Sequence, residues 1–145
     1  METIRHILQL KGGDVWTTTP DTSVYDALLV MADKDIGALL VMENDKMVGI
    51  ISERDYARKV ILQGKASKST KVSEIMTRDV LTIHPDQTVE EAMEIMGRRH
   101  IRHLPVVEDQ RVIGVISIMD TNRNIIYRQR KTIREMEDKI LSDTN

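Results

Sequence analysis

Residues 49–55 read GIISERD, and residues 114–120 read GVISIMD. Both fit Gly-apolar-apolar-Ser-x-x-Asp, and Gly114 follows Gly49 by 65 positions (114 − 49). The same offset joins Pro20-Asp21 to Pro85-Asp86, Val24 to Val89, Ala27 to Ala92, Met31 to Met96, Ile36 to Ile101, Leu39 to Leu104, Val41 to Val106 and Glu43 to Glu108, without insertion or deletion. The chain is therefore an internal duplication. A unit this small buries little surface alone, so the two halves are expected to pack intimately and share a core.

Each half carries the same local signals. TSVYDALLVMADK places Val24, Ala27, Leu28 and Met31 at helical spacing behind Thr22 or Ser23 as a cap, and Thr88, Val89, Ala92, Met93 and Met96 repeat the pattern. The runs ALLVM and HLPVV are followed by the polar turns ENDK and EDQR and then by MVGIIS and VIGVIS, a hairpin signature. Ser52 and Ser117 stand where strand gives way to helix, and Gly64 is placed to close the first of those helices. Pro105 lacks an N–H, which predicts an edge or a bulge there. Each half reads strand, helix, strand, strand, helix. KASKST (65–70) reads as a linker, TKVSEIM (70–76) as a short helix, and TIRHILQL (3–10) as its counterpart before the first half.

Composition narrows the function classes. The 145 residues are 41% hydrophobic and 30% charged, with 21 basic against 23 acidic side chains, so no global attraction to nucleic acid or anionic membrane is built in. There are no cysteines, which excludes disulfides and thiolate metal sites and fits a reducing, cytoplasmic setting. Glu2, Arg5, His6 and Lys11 interrupt the N-terminal segment, which reads as neither signal peptide nor membrane span. Aromatic residues make up 3%, with no Phe, which argues against base-stacking platforms.

The Gly-x-x-Ser-x-x-Asp motif has two readings. In the structural one, Ser caps a helix, Asp complements its dipole and Gly permits a tight strand exit. In the functional one, the same helix start receives a phosphate on its free N–H groups, while Asp accepts the two hydroxyls of a ribose and the preceding apolar strand forms a slot for a flat base.

The duplicated motif and the RHLPVV strand (102–107) resemble tandem CBS (cystathionine-β-synthase) domains, a Bateman module, over roughly residues 15 to 127. The resemblance implies an α/β fold of two pseudo-symmetric CBS repeats, each about β-α-β-β-α, packed sheet to sheet around two clefts. It divides the chain into an N-terminal helical segment (1–14), repeat 1 (15–64), a linker (65–76), repeat 2 (77–127) and a C-terminal helical extension (128–145). The implied ligands are adenosine-containing: AMP first, with ADP, ATP, NAD(H) or S-adenosylmethionine as other candidates. For the first cleft the candidates are Thr17, Thr18, Ala38, Ser52, Arg54 and Asp55; for the second they are Thr82, Ile83, Arg102, His103, Ser117 and Asp120. Asp55 and Asp120 are assigned the ribose, Ser52 and Ser117 the ribose or phosphate. Arg102 and His103, where the first half has Gly37 and Ala38, and Arg54, where the second has Met119, are assigned phosphates. Thr17-Thr18 and Thr82-Ile83 fall at the base-contacting edge.

The cationic stretch Arg98-Arg99-His100 reads as charge at a helix C-terminus. His100 and His103 lack a third ligand of suitable spacing, so no metal is expected. In the tail, Ile125, Ile126, Ile133, Met136, Ile140 and Leu141 form a partial apolar stripe that predicts packing on the module itself or a homodimer interface. RNIIYRQRK is followed by EMEDK, a salt-bridged helix face rather than a nucleic-acid site. No nucleophile with a paired base, metal set or phosphate loop is visible, so no enzyme is expected. The reading is a stand-alone, non-enzymatic sensor that signals to an unidentified regulated protein. The alternative is a CBS dimerisation or interaction module with empty clefts.

Overall fold

In the computed structural model, which describes residues 2–143, the duplicated pattern becomes two α/β repeats. Helix α1 (Ile4–Lys11) leads into β1 (Thr17–Thr18), α2 (Val24–Lys34), β2 (Ala38–Glu43), β3 (Lys46–Ser52) and the short α3 (Glu53–Tyr56). After a single 3₁₀ turn at Ser67–Ser69 come α4 (Val72–Ile75), α5 (Val89–Arg99), β4 (His103–Glu108), β5 (Arg111–Ser117) and α6 (Ile118–Asp143). Ser23 caps α2 by accepting the N–H of Asp26, and Thr88 caps α5 by accepting that of Glu91. Thr22 instead shares a hydroxyl hydrogen bond with Thr19.

Both hairpins turn through two residues of positive φ, Asn44-Asp45 and Asp109-Gln110, the mirror-image turn whose twist matches the strands. Both also carry a bulge at the equivalent place, between Val41 and Met42 and between Val106 and Val107, so the irregularity does not come from Pro105. The effect of the proline lies on the other side of its strand. Leu40 donates its N–H to the carbonyl of Trp16, whereas Pro105, its equivalent, has no N–H to give. The first sheet consequently has three strands, β1-β2-β3, and the second has two, with Ile83 making only an isolated parallel bridge to Val106.

The expected shared core is instead two cores tied by an exchange of helices. Ile4, Ile7 and Leu8 of α1 lie buried among Ile83, Val89, Ala92, Met96, Leu104, Val106 and Ile116 of the second repeat. Val72, Ile75 and Met76 around α4 complete the core of the first repeat with Val24, Ala27, Met31, Leu39, Val41 and Ile51. Each entry segment thus closes the other half's core. Backbone bonds follow the exchange: Ile4 donates to the carbonyl of Gln87, and Val72 to that of Thr22.

Past α3 the chain winds wider, into a π-helical stretch (Ala57–Ile61) in which Leu62 donates to the carbonyl of Ala57 and Lys65 to that of Val60. Gly64, with φ +68°, reverses the chain after it. Helix α6 is regular over its 26 residues. Its start is embedded, with Asp120, Thr121 and Asn124 buried, while Ile126, Ile133 and Met136 are each about half exposed or more. Among the described residues, no helix is long and apolar enough to cross a membrane.

Candidate nucleotide cleft

Both copies of the motif fold into the same local device. Ser52 ends β3, and its hydroxyl accepts the N–H of Asp55 (3.2 Å), while Asp55 Oδ2 accepts the Ser52 N–H (3.0 Å) and hydroxyl (3.1 Å). Ser117 and Asp120 repeat this at 3.2, 2.8 and 3.0 Å. This reciprocal capping box is the structural reading of the motif, and it is present twice.

The surroundings of the two copies differ. Ser52, Arg54, Asp55 and Arg58 open into a cleft of about 740 Å³, together with Ile50. Its opposite wall comes from the second repeat: Thr77 and Asp79 to Leu81 ahead of α5, and His100 to His103 between α5 and β4. Arg102 and His103 therefore share a cavity with Ser52, Arg54 and Asp55. Gly37 lines that cavity beside His103, where a Cβ would make an ordinary contact, 3.4 Å, with the imidazole. Arg54 spans the cleft, its guanidinium donating to the carbonyl of His100 (2.6 Å), and His100 holds the left-handed conformation that ends α5. Asp55 also pairs with Lys59 (3.1 Å), whose ammonium donates onward to the carbonyl of Ile75. The result is a pocket with apolar walls at Ile50, Val80 and Leu81 and three guanidinium groups at its rim. Burial holds the His103 imidazole below its ordinary pKa, against the pull of Asp120 and with help from the charges of Lys11 and Arg102, so it is neutral at pH 7.

Around Asp120 the space is filled. Its side chain is 4% exposed, against 14% for Asp55. Lys11, at the end of α1, donates to Asp120 Oδ2 (2.7 Å) and to the carbonyl of Val115 (2.7 Å), and Arg123 holds Oδ1 (2.5 Å). Burial alone would push the Asp120 carboxyl up. The bonds from Lys11 and from the Ser117 backbone outweigh it and keep the carboxyl below the usual range.

The remaining candidates lie elsewhere. Thr17 and Thr18 pair with Leu40 and Val41 in the sheet, Thr18 being buried, and Ala38 sits across the ladder from Ser52; none of the three borders the large cleft. Thr82 lines a separate cavity of about 210 Å³ beside Glu94, Arg98 and Arg99. Ile83 is a core residue, 2% exposed. Arg58, Thr77, Asp79, Val80 and Leu81 border the large cleft without having been singled out, and Lys11 enters the second copy likewise. Arg58 and Arg123 obey the 65-residue offset, a signal available in the sequence; Lys11 breaks it, being matched by Met76. His84, Asp86 and Glu108 approach one another closely, but Arg5 bonds both carboxylates.

Residues 5–61 and 72–126 match the CBS domain family. A mitochondrial CBS domain-containing protein of Arabidopsis thaliana, CBSX3, is 41% identical over 92% of the chain and 69% of its own length. An inosine-5'-monophosphate dehydrogenase of Methanocaldococcus jannaschii is 38% identical over 87% of the chain, but the match spans only 24% of that enzyme. Among solved structures, a protein with CBS domains from Burkholderia ambifaria superposes with a TM-score of 0.85 at 46% identity, covering 88% of this chain and 96% of the other. The CBS domain pair of protein MJ0100, solved in complex with 5'-methylthioadenosine and S-adenosyl-L-methionine, gives 0.79 at 29% identity over 88% and 98%. The chain belongs to the CBS domain family as a tandem pair.

Proposed function

We propose that this CBS pair is a nucleotide-responsive regulator that takes an adenosine nucleotide, AMP first and ADP, ATP or NAD(H) as alternatives, in the 740 Å³ cleft between its repeats. The observation that carries the reading is the convergence of Ser52, Asp55, Arg54, Arg58 and Arg102 on one cavity with an apolar wall. A base fits against Ile50, Val80 and Leu81, a ribose diol is accepted by Asp55, and phosphate is met by the guanidinium groups. The adenosine ligands of the MJ0100 pair support the class of ligand.

The coupling follows from Arg54. A phosphate competes with the His100 carbonyl for its guanidinium, so occupancy changes the tie between α3 of one repeat and the end of α5 in the other. A ligand that favours one arrangement of the repeats shifts their equilibrium and, through it, a partner protein. The exposed half of α6 is the surface we assign to a homodimer, and the cytoplasm the compartment. An interaction module without ligand is the second reading, favoured by that same surface.

Calorimetric titration with AMP, ADP, ATP, NADH and S-adenosylmethionine tests the proposal. One phosphorylated nucleotide should bind, and Asp55→Ala should abolish it. At a hundredfold excess over Kd the ligand should stabilise the fold by about 2.7 kcal/mol. No binding at millimolar concentration refutes the sensor reading in favour of the interaction module.

A further inference from the structure

We infer that the outer end of α6 pairs with the same segment of a second copy of this chain, running antiparallel, as a short two-stranded coiled coil. The inference rests on the assignment of that surface to a homodimer and supplies its geometry; it is independent of the nucleotide reading.

The residues concerned lie past the two repeats. The CBS match ends at residue 126, and α6 continues to Asp143. The first turns of the helix are held by their own module: Thr121 and Asn124 are buried, and Arg128 donates to Asn124 and to Glu90. From 129 to 143 every residue is exposed. A helix in water draws most of its stability from a packed apolar face, yet Ile133 and Met136 stand 56% and 60% exposed.

The exposed seam has the period of a coiled coil. Ile126, Ile133 and Ile140 recur every seven residues, and Gln129 and Met136 each follow an isoleucine by three. With these as the two core positions of a heptad, Arg130 and Glu137 take the same flanking position in successive heptads.

Charge selects the occupant and its direction. Residues 123–134 carry five basic side chains and no acidic one, whereas 135–143 carry four acidic side chains against Lys139. The sequence pattern suggests salt bridges along the helix face, but the ion pairs that α6 makes among the described residues are those of Arg123 and Arg128; Arg130, Arg134, Glu135 and Glu137 make none. A second α6 laid antiparallel sets the basic half of each copy against the acidic half of the other. Parallel pairing would set like against like, and an anionic membrane would attract one half and repel the other. In the antiparallel register Ile133 packs on the second copy's Met136, and Arg130 faces the second copy's Glu137. The twofold axis makes each contact twice.

The test follows self-association of the full chain by sedimentation equilibrium. Arg130→Glu or Glu137→Arg alone turns both ion pairs into repulsions and should weaken the dimer about tenfold. Mixing the two variants one to one restores both pairs between unlike chains, so the mixture should associate as tightly as wild type. Because the chain has no cysteine, Ile133→Cys and Met136→Cys each carry a single thiol. Oxidation of their mixture should link unlike chains, whereas linkage of Ile133→Cys to itself marks a parallel pair and overturns the inference. All four positions are exposed and outside the nucleotide cleft, so AMP titration of each variant should match wild type. A dimeric wild type whose association is unchanged by Arg130→Glu and by Glu137→Arg overturns the inference while leaving a homodimer in place. A monomeric wild type overturns both.

Discussion

Asp55 and Asp120 occupy equivalent positions, yet their removal should have unequal consequences for stability. Each carboxylate is a helix cap, and losing a cap costs about 1 kcal/mol. For Asp55→Ala little is added, because its ion-pair partner Lys59 is 45% exposed and such surface pairs contribute about 0–1 kcal/mol. For Asp120→Ala the cap is lost together with a carboxylate that is 4% exposed and that accepts the Lys11 ammonium, a charge-assisted bond of about 1.5–3 kcal/mol before discounting the exposed lysine. The Arg123 partner is 67% exposed and adds little. The expected totals are about 1 kcal/mol for Asp55→Ala and about 2–3 kcal/mol for Asp120→Ala. In urea, with a slope of about 2 kcal/mol/M, the midpoints of the two variants should differ by roughly 0.5–1 M. Asp120→Asn separates the contributions, since its amide oxygen still accepts the Ser117 N–H while the charge is gone. It should recover the capping part of the loss and leave the Lys11 part. Equal midpoints for the two alanine variants, or full recovery by Asn, would refute the argument that the bond from Lys11 makes Asp120 the costlier loss.

Ile7→Ala should cost about 2–4 kcal/mol, as a buried Ile truncation does, and hydrogen exchange should show lost protection in β4 and β5 rather than β2 and β3, because Ile7 lies in the second repeat's core. Acidification should destabilise the protein in two windows. Burial lowers the His103 pKa, so the unfolded chain binds that proton more tightly and stability falls as pH drops below about 6.5. Asp120, Glu90 and Glu108 are held low by Lys11, Arg128 and Arg5, and their contribution disappears only below about pH 4. Thermal midpoints measured from pH 7 to 5 should fall less steeply for His103→Gln than for wild type.

Much of this protein is local and was therefore open to reading along the chain. The 65-residue offset, the caps at Ser23 and Thr88, the polar hairpin turns and the strand-to-helix junctions at Ser52 and Ser117 depend on neighbours within a few residues, where residue type constrains the backbone directly. Only the tertiary structure decided which core each entry helix serves, because α1 and α4 have similar apolar faces and nothing local in either says that Ile7 belongs with Ile83 or Val72 with Val24. The same holds for the clefts. Arg102 and His103 stand 50 and 51 residues beyond Ser52, and their place across from it follows from the packing of whole repeats. Sequence placed the Ser and Asp pairs, and only the exchange of helices carried Lys11 to Asp120.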